Sequence, residues 1–282
     1  MSTTVITDGH SDAGPARPRR LEPLIDPRHL TPEVQREYRS AFARSREGGF
    51  GALAIPDFLR ADVAERVANL LTSPAVTYSP SYGLYGEAKE VPEDTWLEAH
   101  ETNRFYHYDT ARSLTTGEAS LPSVVTLVAL QQALVSNSGC DFVCVVTGAD
   151  VAPGHQFSVH RMGRSHFLRI HTDTIFGRRM AAVLNFTKGW QKEFGGTLHL
   201  VSADGKRRQS YPPNWNTLVL FDLEGVAHYV DPIDGLAREH VRLSLGGWYA
   251  DASAGSVGRS LTDGDRERCQ AMRIRDLANR AP

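Results

Sequence analysis

The residues best suited to chemistry are His171 and Asp173, separated by one threonine at the end of the run HFLRIHTD. On an extended chain residues i and i+2 project to one face, so the imidazole and the carboxylate can reach a single ion together. A third ligand has to come from elsewhere in the fold. His228 follows the apolar run TLVLFD by a short turn, whereas His199 lies inside GTLHLVS and reads as a packed strand histidine. Two histidines and one carboxylate on one face of an octahedron leave three positions open, the arrangement that suits iron(II) and O₂ chemistry. With eleven histidines in the chain, one His-x-Asp pair arises by chance about half the time, so the pair alone carries little. The order of elements carries more: His-x-Asp, two strands, His228, then a strand that opens with Arg242 and Ser244 two residues apart.

Those side chains need a scaffold. From Asp141 onward the chain breaks into short β-rich runs between turn residues: FVCVVTG, HQFSVH, HFLRIHTD, RMAAVLNF, GTLHLVS, KRRQSY, TLVLFD, AHYVD and VRLSLGGWY. Runs of this length and spacing predict a sandwich or barrel. Ala203-Asp204-Gly205-Lys206 joins two of them as a hairpin, because Asp-Gly tolerates positive φ. Upstream, Thr31 caps a helix with Pro32 at its first position, running to about Arg46 before Gly48-Gly49. A short strand follows at Phe50–Ile55, then a helix burying Val63, Val67, Leu70 and Leu71. A further helix over Ser123–Val135 is apolar on most sides and is expected to pack under the sheet.

Ser73 to Ser120 is aromatic-rich and without clear periodicity, which predicts a lid or binding loop; Tyr82, Tyr85, Trp96 and Arg104 are its candidate substrate contacts. Residues 1–28 read as a disordered tail and 263–278 as a closing helix. The expected fold is mainly β with supporting helices (α+β), built on a double-stranded β-helix (jelly roll, cupin-like). A single domain is expected over 29–282, with helical support and lid in 29–140, the jelly-roll core in 141–250 and the C-terminal helix in 251–282.

Composition narrows the function classes. The 282 residues are 41% hydrophobic and 23% charged, with a net charge of −2, so neither nucleic acid nor a membrane surface is an expected partner. No apolar run approaches the roughly 20 residues that span a bilayer, and the N-terminal residues lack a secretory apolar core. Three cysteines without a C-x-x-C pair argue against a disulfide framework and against cysteine-ligated zinc, pointing to a reducing, cytoplasmic setting. Cys144, inside an apolar run, reads as an inert buried thiol, and Trp190 and Trp248 read as core. Gly195-Gly196 reads as a turn, since no helix follows to hold a phosphate. Composition leaves monomer and homodimer both open.

The stretch from Phe167 to Tyr249, through HFLRIHTDT, VLNFTKGWQKEFGGTLHL, NTLVLFD, AHYVDPI and RLSLGGWY, resembles the prolyl-4-hydroxylase-like branch of the 2-oxoglutarate/Fe(II) oxygenases. The upstream PDFL and its following helix are similar too. The resemblance implies that His171, Asp173 and His228 hold iron(II). It implies that Arg242 grips the far carboxylate of 2-oxoglutarate beside Ser244, with Asn185 as a further contact to the co-substrate, O₂ as oxidant and ascorbate as a supporting reductant. A planar guanidinium suits that carboxylate because it binds both oxygens at once. Two departures stand out. The gap from His228 to Arg242 is long, which makes Arg238 a rival, and His160-Arg161-Met162 occupies the region where relatives carry a tyrosine.

Related halogenases lack the carboxylate, so Asp173 points to C–H oxidation. The expected reaction is hydroxylation of an unactivated carbon in a small molecule such as an amino acid or a biosynthetic intermediate. Arg178 and Arg179, just after the His-x-Asp turn, are further candidate substrate contacts. The alternatives are a protein prolyl-type hydroxylase, a catalytically inactive metal-binding jelly roll serving as sensor or binding module, and a zinc hydrolase.

Overall fold

The computed structural model describes residues 3–5, 20–87, 89–115, 120–173 and 177–253. The helices stand where their caps put them. Helix α1 (Pro32–Glu47) starts at Thr31, whose hydroxyl accepts from the Val34 N–H, with proline at its first position. After β1 (Thr3–Val5), the chain runs through α1, β2 (Ala52–Ile55), α2 (Ala61–Leu71) and β3 (Val76–Leu84). Next come α3 (Glu93–Glu98), β4 (Arg104–Thr115), α4 (Leu121–Leu134) and α5 (Asn137–Thr147). Eight strands complete the described chain: β5 (Val151–Met162), β6 (Phe167–His171), β7 (Arg178–Asn185), β8 (Leu198–Ser202), β9 (Arg208–Tyr211), β10 (Thr217–Asp222), β11 (Val226–Val230) and β12 (Arg242–Asp251).

All strand pairs are antiparallel and form one sheet in the order β2-β10-β7-β12-β5-β4-β6-β11-β8-β9, with β1 and β3 also paired to β4. The sheet curls so that β4 through β8 and β10 through β12 line a single cavity, the nearly closed barrel of a jelly roll. Similarity in fold class to the expectation is therefore close. The helices pack against one outer face, where Val63, Val67, Leu127, Leu130 and Phe142 join Leu184, Leu218 and Leu245 in the main core. Helix α4 covers the core with one side only, and its Leu121 and Val125 are 71% and 57% exposed. No helix among the described residues is long and apolar enough to cross a membrane.

Four local expectations change. FVCVVTG is the end of helix α5, not a strand: the Ser136 hydroxyl caps its start and Gly148, at φ 73°, closes it in the left-handed region. A short apolar run is ambiguous between a buried helix and a buried strand, and here the caps decide. The barrel core thus begins at Val151, later than 141. The segment 73–120 is no irregular lid, for it holds β3 and β4, paired along nearly their whole length from Val76↔Leu114 to Leu84↔Arg104, with α3 between them. Aromatic residues on both faces erased the alternation that marks a strand. The tail is shorter than 28 residues, because Leu21 and Ile25 are buried in the main core and Thr3–Val5 pairs with β4. The closing helix expected at 263–278, with Cys269, lies outside the described residues.

Candidate active site

The barrel strands bring the chemistry together by register. His171 at the end of β6 and His228 on β11 are directly opposed partners, and their rings lie 4.1 Å apart. Asp173, two residues beyond His171, turns back toward both, with Oδ1 3.6 Å from His171 Nε2 and Oδ2 3.5 Å from His228 Nε2. One ligand atom from each residue lies within 4.8 Å of the others, and all three residues are buried. His171 Nδ1 is 2.8 Å from the Arg169 carbonyl oxygen, which fixes the tautomer and leaves Nε2 facing the carboxylate.

The protonation states suit a metal. Burial, then the neighbouring His228, lowers the His171 pKa to about 3. Burial alone would raise the Asp173 carboxyl, but His171, His228 and Arg178 outweigh it and hold the group well below the usual carboxylate range. Neutral imidazole and ionised carboxylate are the forms that ligate. Two nitrogens and one carboxylate, converging from one side, are a donor set that iron(II) fits while keeping other positions open.

The cavity above these residues has a volume of about 640 Å³. On β12 the alternation places Arg242, Ser244, Gly246 and Trp248 along its wall. Arg242 is 5% exposed; its Nη1 reaches only Ser244 Oγ and Met162 Sδ, each at 3.4 Å, and its Nε has no partner among the described residues. Arg238 instead sits exposed in a turn at φ 49°, so Arg242 is the arginine that faces the metal cluster's cavity. His160 stands opposite Ser244 on β5, with its Nδ1 likewise buried and unpartnered among the described residues. Burial and the Arg242 charge lower the His160 pKa to about 4, keeping the ring neutral. Tyr108 of β4, whose ring lies 5.0 Å from that of His160, lines the same cavity. The arrangement of a buried cation with open N–H donors fits one end of a dicarboxylate.

Other candidates are placed differently. Asn185 shares the Ser244 row but donates Nδ2 to the Thr217 carbonyl and is not among the residues that line the cavity. Tyr85 does line the cavity, stacked 4.9 Å from Phe105, which in turn meets His171 edge-on. Tyr82, Trp96 and Arg104 do not. Tyr82 packs between Trp96 and His107, while Arg104 lies over the Trp96 ring and donates to the Trp96, Leu97 and Ala99 carbonyls. They tie α3 to β4, a structural clasp in place of a substrate contact. The neighbours Arg178 and Arg179 part company, as successive strand residues must. Arg178 enters the cavity, and Arg179 pairs with Asp222 and Glu224 outside it. His199 bonds Ser210 and Asp231, away from the metal cluster. Trp248, expected in the core, lines the cavity, and counting by twos from Arg242 would have placed it there. Phe105, Tyr106 and Tyr108 were missed because their strand was not visible in the pattern.

Residues 157–250 match the model of the 2OG-Fe(II) oxygenase superfamily. The curated Prolyl 3-hydroxylase OGFOD1 of Mus musculus is 34% identical over 110 residues, covering 37% of this chain and 20% of that protein. Its Xenopus laevis counterpart is 31% identical over 122 residues, covering 41% of this chain and 24% of its own. The match thus spans a quarter or less of these relatives' length. Among solved structures, a prolyl hydroxylase in complex with a hypoxia inducible factor oxygen degradation domain peptide fragment, from Trichoplax adhaerens, superposes with a TM-score of 0.54 at 18% identity. That likeness, covering 77% of this chain and 90% of the other, speaks to the fold. The stretch that matches the superfamily model, about a third of this chain, contains the strands that carry His171, His228 and Arg242 and the turn that carries Asp173, so the similarity to 2OG-Fe(II) oxygenases falls on the candidate site itself.

Proposed function

We propose that this protein is an iron(II)- and 2-oxoglutarate-dependent hydroxylase acting on a prolyl residue of a protein or peptide. The observation that carries the reaction class is the convergence of His171, Asp173, His228 and Arg242 on one cavity. The preference for a prolyl substrate over the small molecule expected from sequence is supported by the similarity to prolyl hydroxylases. The free thiols of Cys140 and Cys144 support a reducing, cytoplasmic setting.

Bound at the three ligands, iron(II) with 2-oxoglutarate and O₂ supplies the oxidising power that places oxygen on a substrate carbon. The chain's own residues position and shield. Arg242 and Ser244, both buried in the cavity wall, hold the far carboxylate of the co-substrate. Neutral His160 and Tyr108 flank that carboxylate without adding negative charge. Leu168, Val183, Val230 and Phe221 line the interior and exclude water, which strengthens every charge contact inside. Tyr85 and the loop residues Glu87 and Lys89 stand at the same cavity and are the side chains that an entering peptide meets.

The test has two stages. Anaerobic Fe(II)-loaded protein is titrated with 2-oxoglutarate and followed by the visible band of the chelate, in wild type and in His228→Ala and Arg242→Ala. The band is expected in wild type, absent without His228 and weakened without Arg242. Its absence from wild type at saturating co-substrate removes the oxygenase reading and favours a binding module or a zinc site. Succinate release is then compared between proline-containing peptides and free amino acids, and stimulation by free amino acids alone overturns the peptide assignment.

A further inference from the structure

Asp173 is held by more than the metal site requires. The Trp248 indole Nε1 donates to Asp173 Oδ2 at 2.7 Å, the shortest polar contact that carboxylate makes among the described residues. The indole is itself clamped, because the Arg178 guanidinium carbon lies 3.7 Å from the ring centroid. Arg178 Nη1 reaches Asp173 Oδ1 only at 3.5 Å. The three residues come from separate places: the turn after β6, the first residue of β7 and the late part of β12. The Asp173 and Arg178 side chains are 11% and 15% exposed, so neither contact is a loose surface pairing. No sequence motif links them.

A carboxylate near a metal can bind through one oxygen or both. A short N–H bond to one oxygen engages its lone pair and leaves the other as the better ligand. We propose that Trp248 is a positioning residue that commits Asp173 to single-oxygen ligation through Oδ1, with Arg178 locking the indole in that orientation. The consequence is one coordination position occupied by the aspartate instead of two. That position is needed if a chelating co-substrate and a further ligand are to share the metal with three protein groups. The inference rests on the oxygenase reading and gives Arg178 a role at the ligand instead of the substrate.

The test uses Co(II) alone, added to the full chain freed of metal, with calorimetry for affinity and visible absorption for coordination. His228→Ala is the control for binding at the site. Trp248→Phe keeps a ring for Arg178 but removes the N–H; it is expected to weaken Co(II) binding 10- to 100-fold, as loss of a metal ligand's hydrogen-bond partner typically does. It is also expected to change the Co(II) absorption spectrum, which a role in packing alone would leave as in wild type. Arg178→Met keeps the N–H and removes the clamp; a smaller loss of affinity with the same spectral change is expected. Wild-type affinity within twofold and an unchanged spectrum in Trp248→Phe overturn the proposal. Should Trp248→Phe fail to fold, the same null result in Arg178→Met overturns it. Failure of the wild type itself to bind Co(II) through His228 instead removes the reading on which the inference stands.

Discussion

Replacing Arg242 with methionine separates two effects that the native residue combines. The guanidinium is buried, has no paired carboxylate among the described residues, and reaches only two weak partners at 3.4 Å. Burial lowers its pKa from 12.5 to about 10. At about 1.36 kcal/mol per pKa unit, the charged form is disfavoured by about 3 kcal/mol in the ligand-free protein. Methionine has similar reach and no charge, so removing the cation relieves that cost, less about 1 kcal/mol for imperfect packing. The metal-free variant is therefore expected to be about 2 kcal/mol more stable, with a melting temperature several degrees higher at about 2–4 °C per kcal/mol. Binding moves the other way. Losing one partner of a buried charge pair costs about 2–5 kcal/mol, which is roughly 30-fold or more in 2-oxoglutarate affinity. Calorimetric melting of the metal-free protein and titration of 2-oxoglutarate into the Mn(II)-loaded protein measure both. A variant that melts lower while binding 2-oxoglutarate with native affinity would refute the assignment of Arg242 as the co-substrate's cation.

Three further outcomes are expected. His107, His160 and His171 are held neutral to about pH 4, 4 and 3, chiefly by burial, whereas an unfolded histidine titrates near 6.5. The unfolded chain then binds protons first as the pH falls, so the melting temperature of the metal-free protein drops between about pH 6.5 and 4; His160→Phe makes that drop shallower. Gly247→Ala would put a Cβ 2.5 Å from Cδ2 of the fully buried Phe157, so a loss of about 1–3 kcal/mol is expected in denaturant titration. Trp96→Ala loses about 3–5 kcal/mol by unpacking the clasp with Tyr82 and Arg104, yet 2-oxoglutarate affinity stays within a few-fold of wild type in calorimetry; a selective loss of that affinity would restore these residues to the site.

Much of the site was legible because its information is local. His171 and Asp173 share a face by the two-residue period of a strand, and Arg242 and Ser244 do so for the same reason. Caps and turns were legible too, as at Thr31 and at the Asp204-Gly205 hairpin between β8 and β9. The reading faltered where the deciding partner is far along the chain. Strands β3 and β4 satisfy each other's backbone, so neither needs the alternation that betrays a half-buried strand. The apolar run in α5 carries no period of its own and takes its helical form from its ends.

Sequence by itself pointed to His171, Asp173 and His228 as candidate ligands, to the β-rich C-terminal half and to the family resemblance, since these depend on residue type and short spacing. Only the tertiary structure decided which aromatics and arginines serve the cavity. Arg178 and Arg179 are adjacent in sequence yet lie on opposite faces of β7, and which face looks inward depends on β7's register with β10 and β12. The bond from Trp248 to Asp173 joins residues 75 positions apart. It exists because β12 and the turn after β6 meet across the cavity of a curled sheet, a condition that no local pattern encodes.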